Sequence, residues 1–381
     1  MKSLHFTAIA LLASTAGVAA QEADIVVTGT PLARTEANLE ACIVRKCSPE
    51  EDIDATLAHA ENQFVAGRYK DARQTLERSI GRNRRFGREY PASVSELFRA
   101  KATVAEHLGE PQTYKLAVIE TRDTLKDNLP GDDSRIFIAE LEVGDSRLKL
   151  GYPDEARQKY RDVERRALAR NLPRVAAHAR MRFLSLLVSE AQAGGKGPWR
   201  EKAARDEIAA FIANPIPGAE AYGDVAELLL ARLDRTAGIQ DTTDALIAKI
   251  VAQTRSARPT LVYAPSLEEA AAEIDGGRAD RDPAQFAAVD KWADVGFWVN
   301  EYGRVEDAEV LRDNGEPVWT GVVLRSIRGR IYVPAAASDG TARRFFMIER
   351  YTLTAPWFLD TGSRIRKRSA TRRIERLDLT P

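Results

Sequence analysis

The sequence is poor in the residues that most often carry chemistry. It has two cysteines and four histidines among 381 residues. His59, His107 and His178 lie beyond the first twenty residues, each in a helix-like stretch. None has a second histidine at ligand spacing, so no metal site can be named. No Gly-x-Ser-x-Gly elbow, phosphate-binding glycine loop or His-Glu-x-x-His pair occurs. No residue is therefore singled out as catalytic, no cofactor is implied, and the chain is expected not to be an enzyme. Charge of one sign is lacking too: 56 basic residues balance 56 acidic ones, which argues against nucleic acid as a general partner. Beyond residue 20, no apolar run approaches the ~20 residues needed to cross a bilayer.

The start of the chain has the one apolar run. Lys2 precedes the apolar stretch Leu4–Val18, and Val18 and Ala20 are small residues placed for cleavage before Gln21. Residues 1–20 are thus expected to be a cleavable export signal, with the mature chain in the periplasm and without a transmembrane helix. Residues 21–50 form a leader. Within it Asp24–Gly29 is a short β-prone run, and Cys42 and Cys47 are separated by four residues. In an oxidising compartment such a pair is expected to form a structural disulfide.

From Glu51 the pattern turns helical and repeats. Gly67, Gly109 and Gly151 follow one another at intervals of 42 residues. Ala60, Ala102 and Gly144 each stand seven positions before these glycines. Small residues let two antiparallel helices approach closely, and glycine accepts the left-handed turn between them. A fixed period of such pairs marks a helical solenoid. The turn segments Ala66–Arg73 and Leu150–Arg157 resemble the turn between the two helices of tetratricopeptide repeats, and Ala60 and Ala102 match that family's small position. The unit at Gly109 departs from the pattern by placing Tyr114 where the family has alanine. Gly194, Gly195 and Gly238 continue the period in degenerate form. Residues 51–255 are therefore expected to be a TPR-like α-solenoid. The resemblance implies a concave partner-binding face, with Asn62, Arg99 and Arg147 as candidate lining residues.

The last third is different. Val295, Phe297 and Val299 alternate, Tyr302 and Gly303 make a turn, and Val305–Val310 forms a second strand. Val318–Ile327 has helical spacing, Ile331–Val333 is β-prone up to Pro334, and Arg343–Leu353 is a long strand after the turn at Gly340. This order of hairpin, helix, short strand ending in proline and final strand resembles the C-terminal domain of TonB-family proteins, although Gly329 stands where that family usually has tryptophan. Residues 256–290 are a linker or the start of this domain, residues 291–358 the domain itself, and residues 359–381 a basic tail, either solvated or in contact with anionic polymers or lipid head groups. The fold class expected is mainly α with a C-terminal α+β domain.

The TonB resemblance implies that the final strand is an edge that pairs with an extended peptide. Arg344, Phe346, Ile348 and Arg350 would share one face of that edge. The partner would be an outer-membrane receptor or another envelope protein, or the chain's own Asp24–Gly29, which resembles the short box by which receptors engage TonB. The function expected is a periplasmic protein–protein adaptor that transmits no force of its own. The alternatives are an envelope assembly scaffold using the concave face, or an envelope enzyme with an unrecognised site.

Overall fold

The computed structural model describes residues 30–193, 198–238, 245–246, 249, 256–276, 291–315, 319–337, 339–359, 361–362, 364–369 and 371–380. The expected export signal, the Asp24–Gly29 run and the Gly194–Gly195 pair lie outside the described residues.

The expected helical arm is present. Helices α2 (Pro49–Val65) and α3 (Tyr69–Asn83), α4 (Pro91–His107) and α5 (Pro111–Asn128), and α6 (Ser134–Lys149) and α7 (Pro153–Leu168) form successive hairpins. Helices α8 (Pro173–Gln192), α9 (Pro198–Ala213) and α10 (Tyr222–Thr236) continue the stack. Six of these described helices open with proline, whose missing N–H costs nothing in the first turn. Gly67, Gly109 and Gly151 take φ of +75°, +65° and +88°, the left-handed turn expected of them. A Cβ at Gly144 would lie 2.5 Å from the Tyr160 ring, and Ala60 and Ala102 are buried between helices.

The leader differs from a loose segment. Leu32–Arg45 is helix α1, which packs on α2 through a Thr35–His59 hydrogen bond. Cys42 and Cys47 are joined in a disulfide where α1 ends, with Lys46 in a left-handed conformation at the cap.

The end domain is larger than residues 291–358. Strand β1 (Thr260–Tyr263) pairs with β4 (Ile331–Val333), and helix α11 (Leu267–Gly276) packs into the same core. Residues 256–276 thus belong to the domain. Its main sheet holds β2 (Lys291–Val299), β3 (Val305–Asp313), β7 (Phe345–Thr354) and β10 (Arg373–Asp378) in the order β10-β7-β2-β3, all antiparallel. Short pairs β5 (Ala335–Ala336) with β6 (Ala342–Arg343), and β8 (Trp357–Leu359) with β9 (Arg366–Arg368), complete it. Val295, Phe297 and Val299 turn toward helix α12 (Thr320–Arg328), where Val323 and Ile327 close the core. Gly303, with φ of +72°, is required, since a Cβ there would run into the Tyr332 carbonyl.

The sheet order corrects two expectations. Part of the supposed basic tail, Arg373–Asp378, is a strand. It pairs with β7 from Arg373↔Thr354 to Asp378↔Glu349, so β7 is an interior strand. Of the four residues expected at a peptide-binding edge, Ile348 and Arg350 are therefore on a stretch paired on both sides, while Arg344 and Phe346 precede the β10 pairing, so the four do not form one free edge. Ile348, for example, gives its N–H to Thr380 Oγ1 and accepts from Leu379 N at 2.8 Å.

Candidate functional site

The opposite face of the main sheet meets the arm. In the β2–β7 register, Asp294 faces Arg350 and Trp292 faces Thr352. Such a polar row would ordinarily face water. Here Arg350 is wholly buried and forms an ion pair with Asp294. Its guanidinium also donates to the carbonyls of Phe64 (3.1 Å) and Val65 (2.6 Å) and to the Tyr69 hydroxyl (3.1 Å), and it lies 3.9 Å from the centre of the Trp292 ring. The two carbonyls lie in the last turn of α2, that of Phe64 also accepting from Gly67 N, and a cation there complements the helix dipole.

The same arrangement recurs down the arm. Trp357 donates its N–H to the Gly109 carbonyl at 2.8 Å, just beyond α4. Arg373 donates to the Lys149 carbonyl at 3.1 Å, the last residue of α6. Lys149 in turn pairs with Glu375 at 2.6 Å and with Glu106. The C-terminal ends of three successive first helices thus each offer a carbonyl, at Val65, Gly109 and Lys149, and the end domain meets all three with donors. Gly67 and Gly109 serve this contact as well as their turns. A Cβ at Gly67 would overlap the Trp292 indole, and one at Gly109 would stand 2.8 Å from Thr354 Oγ1. Gly151 has open space around it.

His107 sits at the centre of the contact. Its Nδ1 is 2.7 Å from Thr352 Oγ1, which also meets the Tyr69 hydroxyl at 2.9 Å. Burial, reinforced by the nearby Arg350 charge, pushes the His107 pKa down to about 3. The ring is thus a neutral structural group. His59 bonds Thr35 and His178 contacts Arg182. Among the described residues no cluster of His, Cys, Asp or Glu could hold a metal ion.

A second buried cation lies within the end domain. Arg330 pairs with Glu349 at 2.7 Å and donates to the hydroxyls of Tyr332 (3.2 Å) and Tyr351 (2.5 Å). Burial alone would weaken its charge, but Tyr351 and Glu349 hold its pKa above the ordinary arginine value. Neither buried arginine was readable as such, because a buried arginine looks in sequence like any exposed one.

Among the described residues, two surfaces of the arm and main sheet offer room for a ligand. A cleft of about 170 Å³ lies between α4, α5 and α6, with Arg99, Glu106, Tyr114, Glu142 and Asp145 in its wall. Tyr114 also borders a smaller cleft against Lys149, Arg373 and Glu375 of the junction. Burial first, then the charges of Asp145, Glu375 and Glu142, hold the Tyr114 phenol protonated. Arg99, expected to line the concave face, is in this cleft but is paired with Glu142 and Glu96. Asn62 is engaged by Thr30 and Thr35, and Arg147 by Glu155. The other surface is β3, the terminal strand of the main sheet, with Glu306, Asp307, Glu309 and Leu311 exposed. Asp307, at φ +51°, falls where the β2–β3 register shifts. Beside β3, Arg344 pairs with Asp307 at 2.6 Å and stacks 4.4 Å from the Trp298 ring, which contacts Phe346.

No family model and no curated protein matches this chain. Among solved structures, BtubC (BKLC) from P. vanneervenii is similar at 12% identity and a TM-score of 0.42, over 58% of this chain and 90% of that one. A putative kinesin light chain from Podosopora anserina, described as having nearly identical TPR-like repeats, is similar at 12% identity and a TM-score of 0.37, over 58% of this chain and 95% of that one.

Proposed function

We propose that this chain is a protein–protein adaptor of the cell envelope, exported to the periplasm, whose TonB-like end domain takes an extended peptide by strand addition along β3. It performs no catalysis and transmits no force of its own. The observation that carries the reading is the position of β3, which pairs only with β2 among the described strands. The opposite edge strand, β10, is held against α11 and the arm. Main-chain groups along a free edge supply affinity, and alternate side chains supply selectivity. Charged residues along β3 also restrain promiscuous edge pairing. The partner is an outer-membrane receptor or another envelope protein offering an extended segment.

Calorimetric titration tests this with a synthetic peptide of the sequence Asp24–Gly29 and the chain from Thr30 onward. Ala308 presents its carbonyl to Arg328, away from β2. Val310, two residues on, then turns its N–H outward. Val310→Pro removes that donor, and in a folded variant binding should weaken about tenfold. Absence of binding by the parent, or equal binding by folded Val310→Pro, refutes the reading.

A second reading, an assembly scaffold, rests on the cleft between α4, α5 and α6. The Tyr114 hydroxyl lines it and makes no hydrogen bond to another described residue. If a partner bound by the full chain is lost with Tyr114→Phe but kept by Val310→Pro, this reading replaces the first.

A further inference from the structure

We propose that the β8–β9 hairpin is a membrane-surface contact, seating apolar side chains among the head groups of an anionic lipid bilayer while its basic residues meet the lipid phosphates. This surface stands apart from β3, and its failure would leave the adaptor reading untouched.

The argument starts from a combination that a solvated tail does not need. Phe358, Leu359 and Ile365 are 43%, 55% and 70% exposed, close together at one end of the hairpin. The register sets Phe358 opposite Lys367 and Leu359 opposite Arg366. Each exposed apolar residue of β8 therefore stands across from a cation. Arg364, Arg366 and Lys367 are themselves exposed. From Trp357 to Arg368 the hairpin has four basic residues and one acidic one, Asp360, in a chain whose overall charge is balanced. Isolated exposed apolar residues need no explanation, but a cluster set among like charges does.

The hairpin is also held in place. Its root is fixed by the Trp357–Gly109 hydrogen bond, and Arg368 donates to the Ala355 carbonyl at 2.8 Å while stacking 4.4 Å from the Trp357 ring. Ser369 closes the root by donating to the Pro356 carbonyl. Gly362, at φ +81°, lies in the turn beyond this fixed root. A soluble polyanion would account for the cations and leave the apolar trio unexplained. The interfacial layer of an anionic bilayer accepts both, with apolar groups sinking below the phosphates that the arginine and lysine heads reach.

The test is co-sedimentation of the chain from Gln21 onward, which lacks the apolar first segment, with lipid vesicles. Vesicles of phosphatidylcholine alone are compared with vesicles in which a third of the lipid is phosphatidylglycerol. The parent should bind the anionic vesicles and not the neutral ones. Binding should weaken about fivefold for each of Arg364→Gln, Arg366→Gln and Lys367→Gln, and about tenfold or more in Phe358→Ser/Leu359→Ser/Ile365→Ser. Urea midpoints equal to the parent's show that the variants fold. If the triple variant is destabilised, Ile365→Ser alone, at the most exposed of the three, should still weaken binding severalfold. No binding to anionic vesicles at low salt overturns the proposal. So does unchanged binding in the apolar variants, and that outcome together with tight binding of soluble polyphosphate would mark a polyanion site instead.

Discussion

Replacing Arg350 with methionine is the sharpest probe of how the end domain is held. Methionine keeps an unbranched apolar stem against Trp292 and removes the charge. Four partners lose their donor: Asp294, the Phe64 and Val65 carbonyls and the Tyr69 hydroxyl. Removing one member of a buried ion pair costs about 3–5 kcal/mol, mostly because the other charge stays buried. Asp294 is 1% exposed but keeps Arg312, whose own side chain is 48% exposed. The residual pair is thus partly solvated, which places Arg350→Met near the lower end, about 3 kcal/mol. The double variant Arg350→Met/Asp294→Asn removes the stranded charge and should recover at least about 1 kcal/mol. Urea unfolding reads both. A common slope with a lower midpoint means lost stability, whereas a second transition means that the end domain now separates from the arm before unfolding. A loss below about 1 kcal/mol, or a double variant no better than the single, would show that Arg350 behaves like a surface arginine and would refute the reasoning.

The turn glycines and His107 provide further checks. Gly151→Ala should cost only the strain of a left-handed turn, about 1–3 kcal/mol, whereas Gly67→Ala and Gly109→Ala should cost distinctly more because their Cβ atoms meet Trp292 and, at Gly109, the Ala355 carbonyl and Thr354 Oγ1. Equal midpoint shifts for all three in urea would mean that only the turn matters. His107 has a folded pKa of about 3 against an ordinary 6.5. Between those values the unfolded chain binds a proton that the folded chain refuses. Its contribution is therefore complete above pH 6.5 and falls as pH drops toward 3, by about 1.4 kcal/mol per unit. His107→Gln should flatten the stability profile between those limits, and an unchanged slope would show that the ring titrates normally.

The arm was legible because its determinants are local. Gly67, Gly109 and Gly151 adopt the positive φ that their spacing implied, Ala60 and Ala102 are buried, and a Cβ at Gly144 would meet the Tyr160 ring. The core-facing alternation of Val295, Phe297 and Val299 was legible for the same reason, since burial of one face leaves a period of two in the sequence. The helix Leu32–Arg45 leaves a faint signal in the sequence, because only Thr35, Leu39 and Cys42 of its residues are buried.

Strand order was beyond the reach of any local pattern. Arg373–Asp378 has one β-branched residue and four charges, and it reads as a tail until β7 is there to pair with it. That pairing turned the supposed edge into an interior strand and left β3 as the free one. The arm–sheet junction was hidden for a related reason. Trp292, Asp294, Arg350 and Thr352 form the kind of polar face that a half-exposed sheet offers to water, and only docking onto the helix ends at Val65, Gly109 and Lys149 buries it. The sequence by itself determined where the chain is helical, where it turns and which strand face is apolar, since those depend on neighbours a few residues away. Which strand lies at the edge, and which arginines are buried, depend on partners up to 286 residues distant, and only the tertiary structure brings those together.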